Sequence, residues 1–144
     1  DKSTLLAWRK VKQRYEKEKL WLVADESMRY ASDIPLLNDY VHGVNIKLEK
    51  AGGLFGALNA ITQAKKHGMI VWLGIMVCSS LASSACATLL PEATEGVDLD
   101  GDLLVEAEKF KGGFYWERDK TSSKHGYVGW EKGGSGFNVK LIDN

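Results

Sequence analysis

Short runs of Val, Ile and Leu alternate along this chain with longer stretches whose apolar residues recur every three or four positions, a strand-and-helix rhythm. Leu5, Trp8, Val11 and Tyr15 share one face of a first helix, capped by Ser3 or Thr4 and reaching about Lys17. Its other face is basic and reads as solvated surface. Residues 20–24, all apolar, predict a buried strand. Ser32-Asp33 caps a short helix around 34–39, with Pro35 tolerated in its first turn. Residues 43–47 predict a second strand. After Lys50-Ala51-Gly52-Gly53 a long helix over 53–67 follows, with Leu54, Leu58 and Ile61 on its apolar face and Gly68 as its C-terminal cap. Residues 69–73 predict a third strand, 79–90 a helix ended by Pro91, and 96–100 a fourth short strand.

Strands separated by helices predict an α/β protein with a parallel sheet, in extent about half of a (β/α) barrel. Residues 1–109 carry these βα units. Residues 110–144 are rich in Gly, Lys, Tyr and Trp, with turns at Gly112-Gly113 and Gly133-Gly134, and predict an extension of strands and loops packed over the barrel or towards a capping domain. One window competes with this scheme. Residues 69–90 contain no charged side chain over 22 positions, enough to span a bilayer. Its first part is rich in Ile, Val and Trp and its second in Ala and Ser, with Gly74 and Cys78-Ser79-Ser80 between them. That change favours a buried strand followed by a small-residue helix, and disfavours a membrane partner.

Composition narrows the function classes. With 19 basic and 19 acidic residues the formal net charge is zero, which offers no electrostatic case for nucleic acid. A hydrophobic share of 44% and five tryptophans argue for a folded chain. Cys78 and Cys86 form no CxxC and do not cluster with His42, His67 or His125, so neither a disulfide framework nor a zinc site is expected, and a reducing compartment such as cytoplasm or an organelle matrix fits. The start shows no signal-peptide pattern, and Asp1 leads into helix-like sequence without an initiator Met, as expected of a fragment or a processed product.

The candidate chemistry lies where strands end, the place where parallel α/β folds build their sites. The first strand ends in Asp25-Glu26-Ser27 and the second in Lys47, so two successive strands deliver a carboxylate pair and a lysine to one rim. Asp98-Leu99-Asp100 ends the fourth. As a strand, that DxD pair points both carboxylates to one side, where a substrate ammonium would relieve their repulsion; as a loop it is two solvated acids. A calcium loop fails on spacing, because position 12 is Lys109. Lys132-Gly-Gly-Ser-Gly136 lacks the GK[ST] of a phosphate loop and reads as a turn. Cys78 beside Ser79 and Ser80 has no His in a partner context and reads as packing.

Val23-Ala24-Asp25-Glu26-Ser27, Asn45-Ile46-Lys47-Leu48 with Lys50-Ala51-Gly52-Gly53, Gly74-Ile75-Met76 and Asp98-Leu99-Asp100 together resemble the enolase superfamily. Within it they look like the muconate-lactonizing subgroup and its dipeptide epimerases, of the L-Ala-D/L-Glu epimerase kind. The resemblance implies strands five to eight, the C-terminal half of the TIM-type barrel. It implies Asp25 as a carboxylate ligand of Mg²⁺, Lys47 as the acid/base lysine, and Asp98 and Asp100 as the pair that holds a dipeptide's ammonium group. Glu26, Asn45, Met76 and Cys78 become site-lining candidates.

The implied reaction is transfer of the proton on the carbon α to a carboxylate, a step that a hard cation on oxygen ligands assists. Family members draw the opposing lysine and two further metal carboxylates from strands two to four, which have no counterpart here. Many relatives also carry an acidic residue near the place of Cys78. The chain alone is therefore not expected to be active. It should need the N-terminal half of the barrel, or other protein chains, to cover its sheet edges. The alternative is a non-catalytic structural subunit derived from such an enzyme and docked within a larger assembly.

Overall fold

The computed structural model describes residues 2–106 and, beyond them, 110–112, 114–117, 127–130 and 139–141. Four parallel strands, β1 (Val23–Ala24), β2 (Gly43–Lys47), β3 (Ile70–Gly74) and β4 (Gly96–Asp98), lie side by side in chain order. Helix α1 (Lys2–Lys17) precedes β1. Then α2 (Ile34–Leu37) joins β1 to β2, α3 (Leu48–Ala51) and α4 (Gly53–Lys66) join β2 to β3, and α5 (Ser80–Ala87) joins β3 to β4. Each parallel neighbour is thus reached through a helical crossover, as parallel pairing demands. The α/β half-barrel expected from the alternation is what the chain forms.

Period-two alternation separates the faces of the sheet. Val44 and Ile46 of β2 and Val71 and Leu73 of β3 point to the helix side and are fully buried. Against β2 and β3, α4 buries Ala57, Ala60, Ile61 and Ala64, a three-four-seven spacing of mostly short side chains that lets the helix approach closely. The buried face is therefore the alanine face. Leu58, expected there, is 45% exposed. Left-handed Gly52 separates α3 from α4, which opens on Gly53 at φ +77°, and Gly68, at φ +65°, follows the end of α4 as its cap position requires.

Several boundaries differ from expectation for physical reasons. Strand β1 is two residues long, not five, and Leu20 and Trp21 are exposed. Among the described residues β1 has only β2 beside it, so the ladder begins where β2 begins. Helix α1 starts at Lys2, which places Ser3 and Thr4 within its first turn. Its basic face is not merely solvated: Arg9 pairs with Asp39 and lies over the Tyr40 ring, and Lys12 donates to the Asn38 carbonyl. A cleft of about 390 Å³ remains between α1 and β1, lined by Trp8, Leu22, Val23 and Asp25 among others.

Asp33 does not cap α2. Its carboxylate accepts from the N–H groups of Arg29 and Tyr30 and closes the preceding turn, while its own backbone is helical. The window 69–90 divides into β3 and α5, and α5 ends at Ala87, before Pro91. No helix among the described residues is long and apolar enough to cross a membrane. Beyond residue 106 pairing becomes antiparallel, β5 (Phe110–Gly112) with β8 (Val139–Leu141) and β6 (Phe114–Glu117) with β7 (Tyr127–Trp130). The turns at Gly112-Gly113 and Gly133-Gly134 and position Lys109 fall wholly or partly outside the described residues.

Candidate active site

Lys47, Gly74 and Asp98 are the last residues of β2, β3 and β4, and the register sets them side by side. They share a face with Asn45, Trp72 and Gly96, the face away from α4. Asp25, one residue past β1, reaches towards the same row. Its Oδ2 is 3.1 Å from Lys47 Nζ. Lys47 is only 12% exposed and also has the Met76 sulfur at 3.9 Å. Three expected site residues, Asp25, Lys47 and Met76, thus form one cluster.

A fourth member was not singled out for a role from sequence. Lys50 Nζ donates to Asp25 Oδ1 at 2.6 Å and to the Asp25 backbone carbonyl at 2.8 Å, with Glu26 at 3.8 Å. Lys47 is the N-cap of α3, and side chains on a helix lean towards its N-terminus, which carries Lys50 back towards the strand ends. The three-residue spacing of Lys47 and Lys50, opposite a strand ending in Asp-Glu, was the available signal. Burial pushes the Asp25 carboxyl up, but the ammonium groups of Lys50 and Lys47 outweigh it and hold the group below its usual range.

Asp98 and Asp100 also come together, though not as strand neighbours. Asp98 ends β4, whereas Asp100 has φ −95° and ψ 6° and opens a 3₁₀ turn over Gly101–Leu104. Burial and then the neighbouring Asp100 raise the Asp98 carboxyl, with Lys47 acting in the opposite sense. The other site-lining candidates divide. Asn45 is buried beneath the Lys47 row, its Oδ1 without a hydrogen-bond partner among the described residues. Glu26 is exposed and, among the described residues, has only Lys50 within ion-pair distance. Cys78 contacts the Ser83 hydroxyl at 3.5 Å, and burial raises its thiol, which is packing chemistry.

The donor set does not by itself fit Mg²⁺. Among the described residues no three His, Cys, Asp or Glu side chains converge, and both Asp25 oxygens face lysine ammonium groups. What the described rim can do is hold a lysine against one carboxylate, with an acidic pair one strand beyond Gly74.

Fold and rim together define a parallel α/β half-barrel with a lysine and carboxylates at its strand ends. No family model matches the chain. An enolase superfamily member of Dictyostelium discoideum is 45% identical over 100 residues, covering 69% of this chain and 23% of that protein. A mandelate racemase/muconate lactonizing enzyme structure from Sorangium cellulosum superposes with a TM-score of 0.75 at 29% identity, over 94% of this chain and 36% of that one. A dipeptide epimerase from Methylococcus capsulatus, solved with Mg and the dipeptide L-Arg-D-Lys, gives a TM-score of 0.61 at 34% identity over 66% of this chain and 28% of that one. The chain belongs to the enolase superfamily, beside its dipeptide epimerases. It spans roughly a quarter to just over a third of the length of these relatives.

Proposed function

We propose that this chain is part of a dipeptide epimerase, in which Lys47 moves the proton on the carbon α to a carboxylate. The observation that carries the reading is the row Lys47–Gly74–Asp98, with Asp25 closing on Lys47 from β1. The residue between the lysine and the acidic pair is Gly74, whose missing side chain is replaced by the Asn45 amide packed against it. In its neutral form Lys47 takes the proton, the C–H electron pair passes into the carboxylate as an enediolate, and return of a proton to the opposite face inverts the carbon. That second acid lies outside the described residues. Asp98 and Asp100 hold the dipeptide's ammonium group. Mg²⁺ enters this reading only with carboxylates from beyond the described residues, because Asp25 is the single donor of the implied set here.

One observation favours a second reading, a non-catalytic structural subunit. Among the described residues, β1 and β4 are open sheet edges and the only metal-ligand candidate is engaged by two lysines. Incubation with L-Ala-L-Glu and Mg²⁺ in D₂O separates the two. Deuterium at the glutamate α-carbon, lost in Lys47→Ala, supports the epimerase. Absence of exchange in the protein joined to its remaining barrel sinks it in favour of the scaffold.

A further inference from the structure

We infer that Ser83 is a positioning residue for the acidic pair: it holds the turn that presents Asp100 by drawing the Asp102 carboxylate onto α5. This rests on the reading of Asp98 and Asp100 as the groups that hold a dipeptide's ammonium. Ser83 is fully buried on α5, and its hydroxyl donates to Asp102 Oδ1 at 3.1 Å. A hydroxyl has one proton to give, so the Cys78 thiol, 3.5 Å from Ser83 Oγ, is the donor in that contact. The order of contact is Cys78, Ser83, Asp102, and it joins the loop after β3 to the turn after β4.

Asp98 needs no such hold. It ends β4, and its carbonyl accepts from the Ile75 N–H at 3.2 Å. Asp100 has left the strand, so its direction depends on the residues that follow it. Gly101 is buried, and a Cβ there would overlap the Met76 carbonyl oxygen; its own carbonyl accepts from the Cys78 N–H at 3.4 Å. Asp102 then brings a third carboxylate two residues from Asp100. No ammonium or guanidinium group lies within ion-pair distance of it among the described residues. Repulsion from its acidic neighbours would push it towards water. The Ser83 hydroxyl turns it inward instead, and with it the turn in which the Leu103 N–H donates to the Asp100 carbonyl at 3.0 Å. An alanine at position 83 would complete the small-residue face of α5 as Ala85 and Ala87 do. The enclosed hydroxyl is accounted for by the carboxylate it meets.

Amide hydrogen exchange of the full chain, read residue by residue by NMR, tests the geometry without substrate. Ser83→Ala is expected to speed exchange at Leu103 and Val105 about tenfold, while Leu73 in the sheet keeps its rate. Asp102→Asn keeps a carbonyl oxygen for the hydroxyl and should exchange nearly as the original chain does. Asp102→Ala should match Ser83→Ala, and the double variant Ser83→Ala/Asp102→Ala should go no further. In the complete epimerase, Ser83→Ala should raise KM for L-Ala-L-Glu about tenfold with a smaller change in kcat, and Asp102→Asn should raise it much less. If Ser83→Ala does not fold, Asp102→Ala carries the same two readouts. Unchanged exchange at Leu103 overturns the inference, because the hydroxyl then has no hold on the turn. A uniform rise across the sheet also overturns it, since that is a loss of global stability alone. So does an unchanged KM. Failure of the ammonium reading shows separately, as an enzyme of the original sequence that turns over N-acetyl-L-Ala-L-Glu as readily as L-Ala-L-Glu.

Discussion

Asn45 and Gly74 meet across β2 and β3 so closely that a Cβ at position 74 would stand 2.6 Å from Asn45 Oδ1 and 2.9 Å from its Nδ2. Glycine at the end of β3 is therefore required by a side chain one strand away, not by backbone torsion. Gly74→Ala must push the buried amide aside and should cost about 1–3 kcal/mol, the usual range for overpacking. Urea unfolding checks this. Asn45→Ala makes the room that the added methyl group needs, so the double variant should be more stable than Gly74→Ala alone.

His42 extends the sheet edge upstream of β1. Its Nδ1 accepts from the Leu22 N–H at 2.9 Å, while the Leu22 carbonyl accepts from the N–H groups of His42 and Gly43. The acceptor role requires the neutral ring, and burial, then Lys12, push its pKa below 6.5. The unfolded chain therefore binds this proton more readily than the folded one. Stability from His42 is complete above pH 6.5 and falls as pH drops through the lower folded value. Between pH 7 and 5 the melting temperature should decline, and His42→Gln should flatten that slope.

How much of this was legible in sequence depends on how many neighbours an element has. Strand β2 is flanked on both sides, and Val44 and Ile46 alternating with Asn45 and Lys47 placed its bounds correctly. Strand β1 has one neighbour, and Leu20 and Trp21 were apolar without being buried. In α4 large residues misled: the packed face is built of alanines because the sheet is close, and hydrophobicity alone pointed to Leu58. The rim was readable for Asp25 and Lys47 because each ends a strand. Lys50 was not assigned a role, since its place depends on a one-turn helix that turns it back towards Asp25. The alternation argument for Asp98 and Asp100 reached the right proximity by the wrong route, because the strand stops at Asp98.

Cys78 and Cys86 should behave as packing residues. Burial pushes the Cys86 thiol up to about 12, and its side chain is fully enclosed. At pH 8 almost none of it is thiolate, so iodoacetamide should reach it only through unfolding. Cys78 is half-buried and also raised by burial, so it should react slowly but measurably in the native protein. Mass spectrometry against time in native and denaturing buffer tests both. Rapid native labelling of Cys78 would revive it as a nucleophile.

The acid side of the stability profile should carry the signature of Asp25. Its carboxyl is held below the ordinary value of 3.8 because, against the opposing push of burial, Lys50 and Lys47 favour the ionised form. A group depressed in the folded state releases its proton more readily there than in the unfolded chain. Its contribution is therefore complete above about the unfolded value and disappears as pH falls through the folded one. With a side chain 43% exposed, solvent screens part of the attraction, and the effect should be modest. Asp25→Asn removes the titration and should lower stability at pH 7, with the difference from the original protein shrinking as pH falls below 3.8. Lys50→Met leaves Asp25 with Lys47 alone, so its acid loss should be smaller and should end at a higher pH than in the original chain. Urea midpoints for the three proteins between pH 2 and pH 7 decide the matter: parallel curves would mean that the Asp25 cluster contributes nothing through its charge.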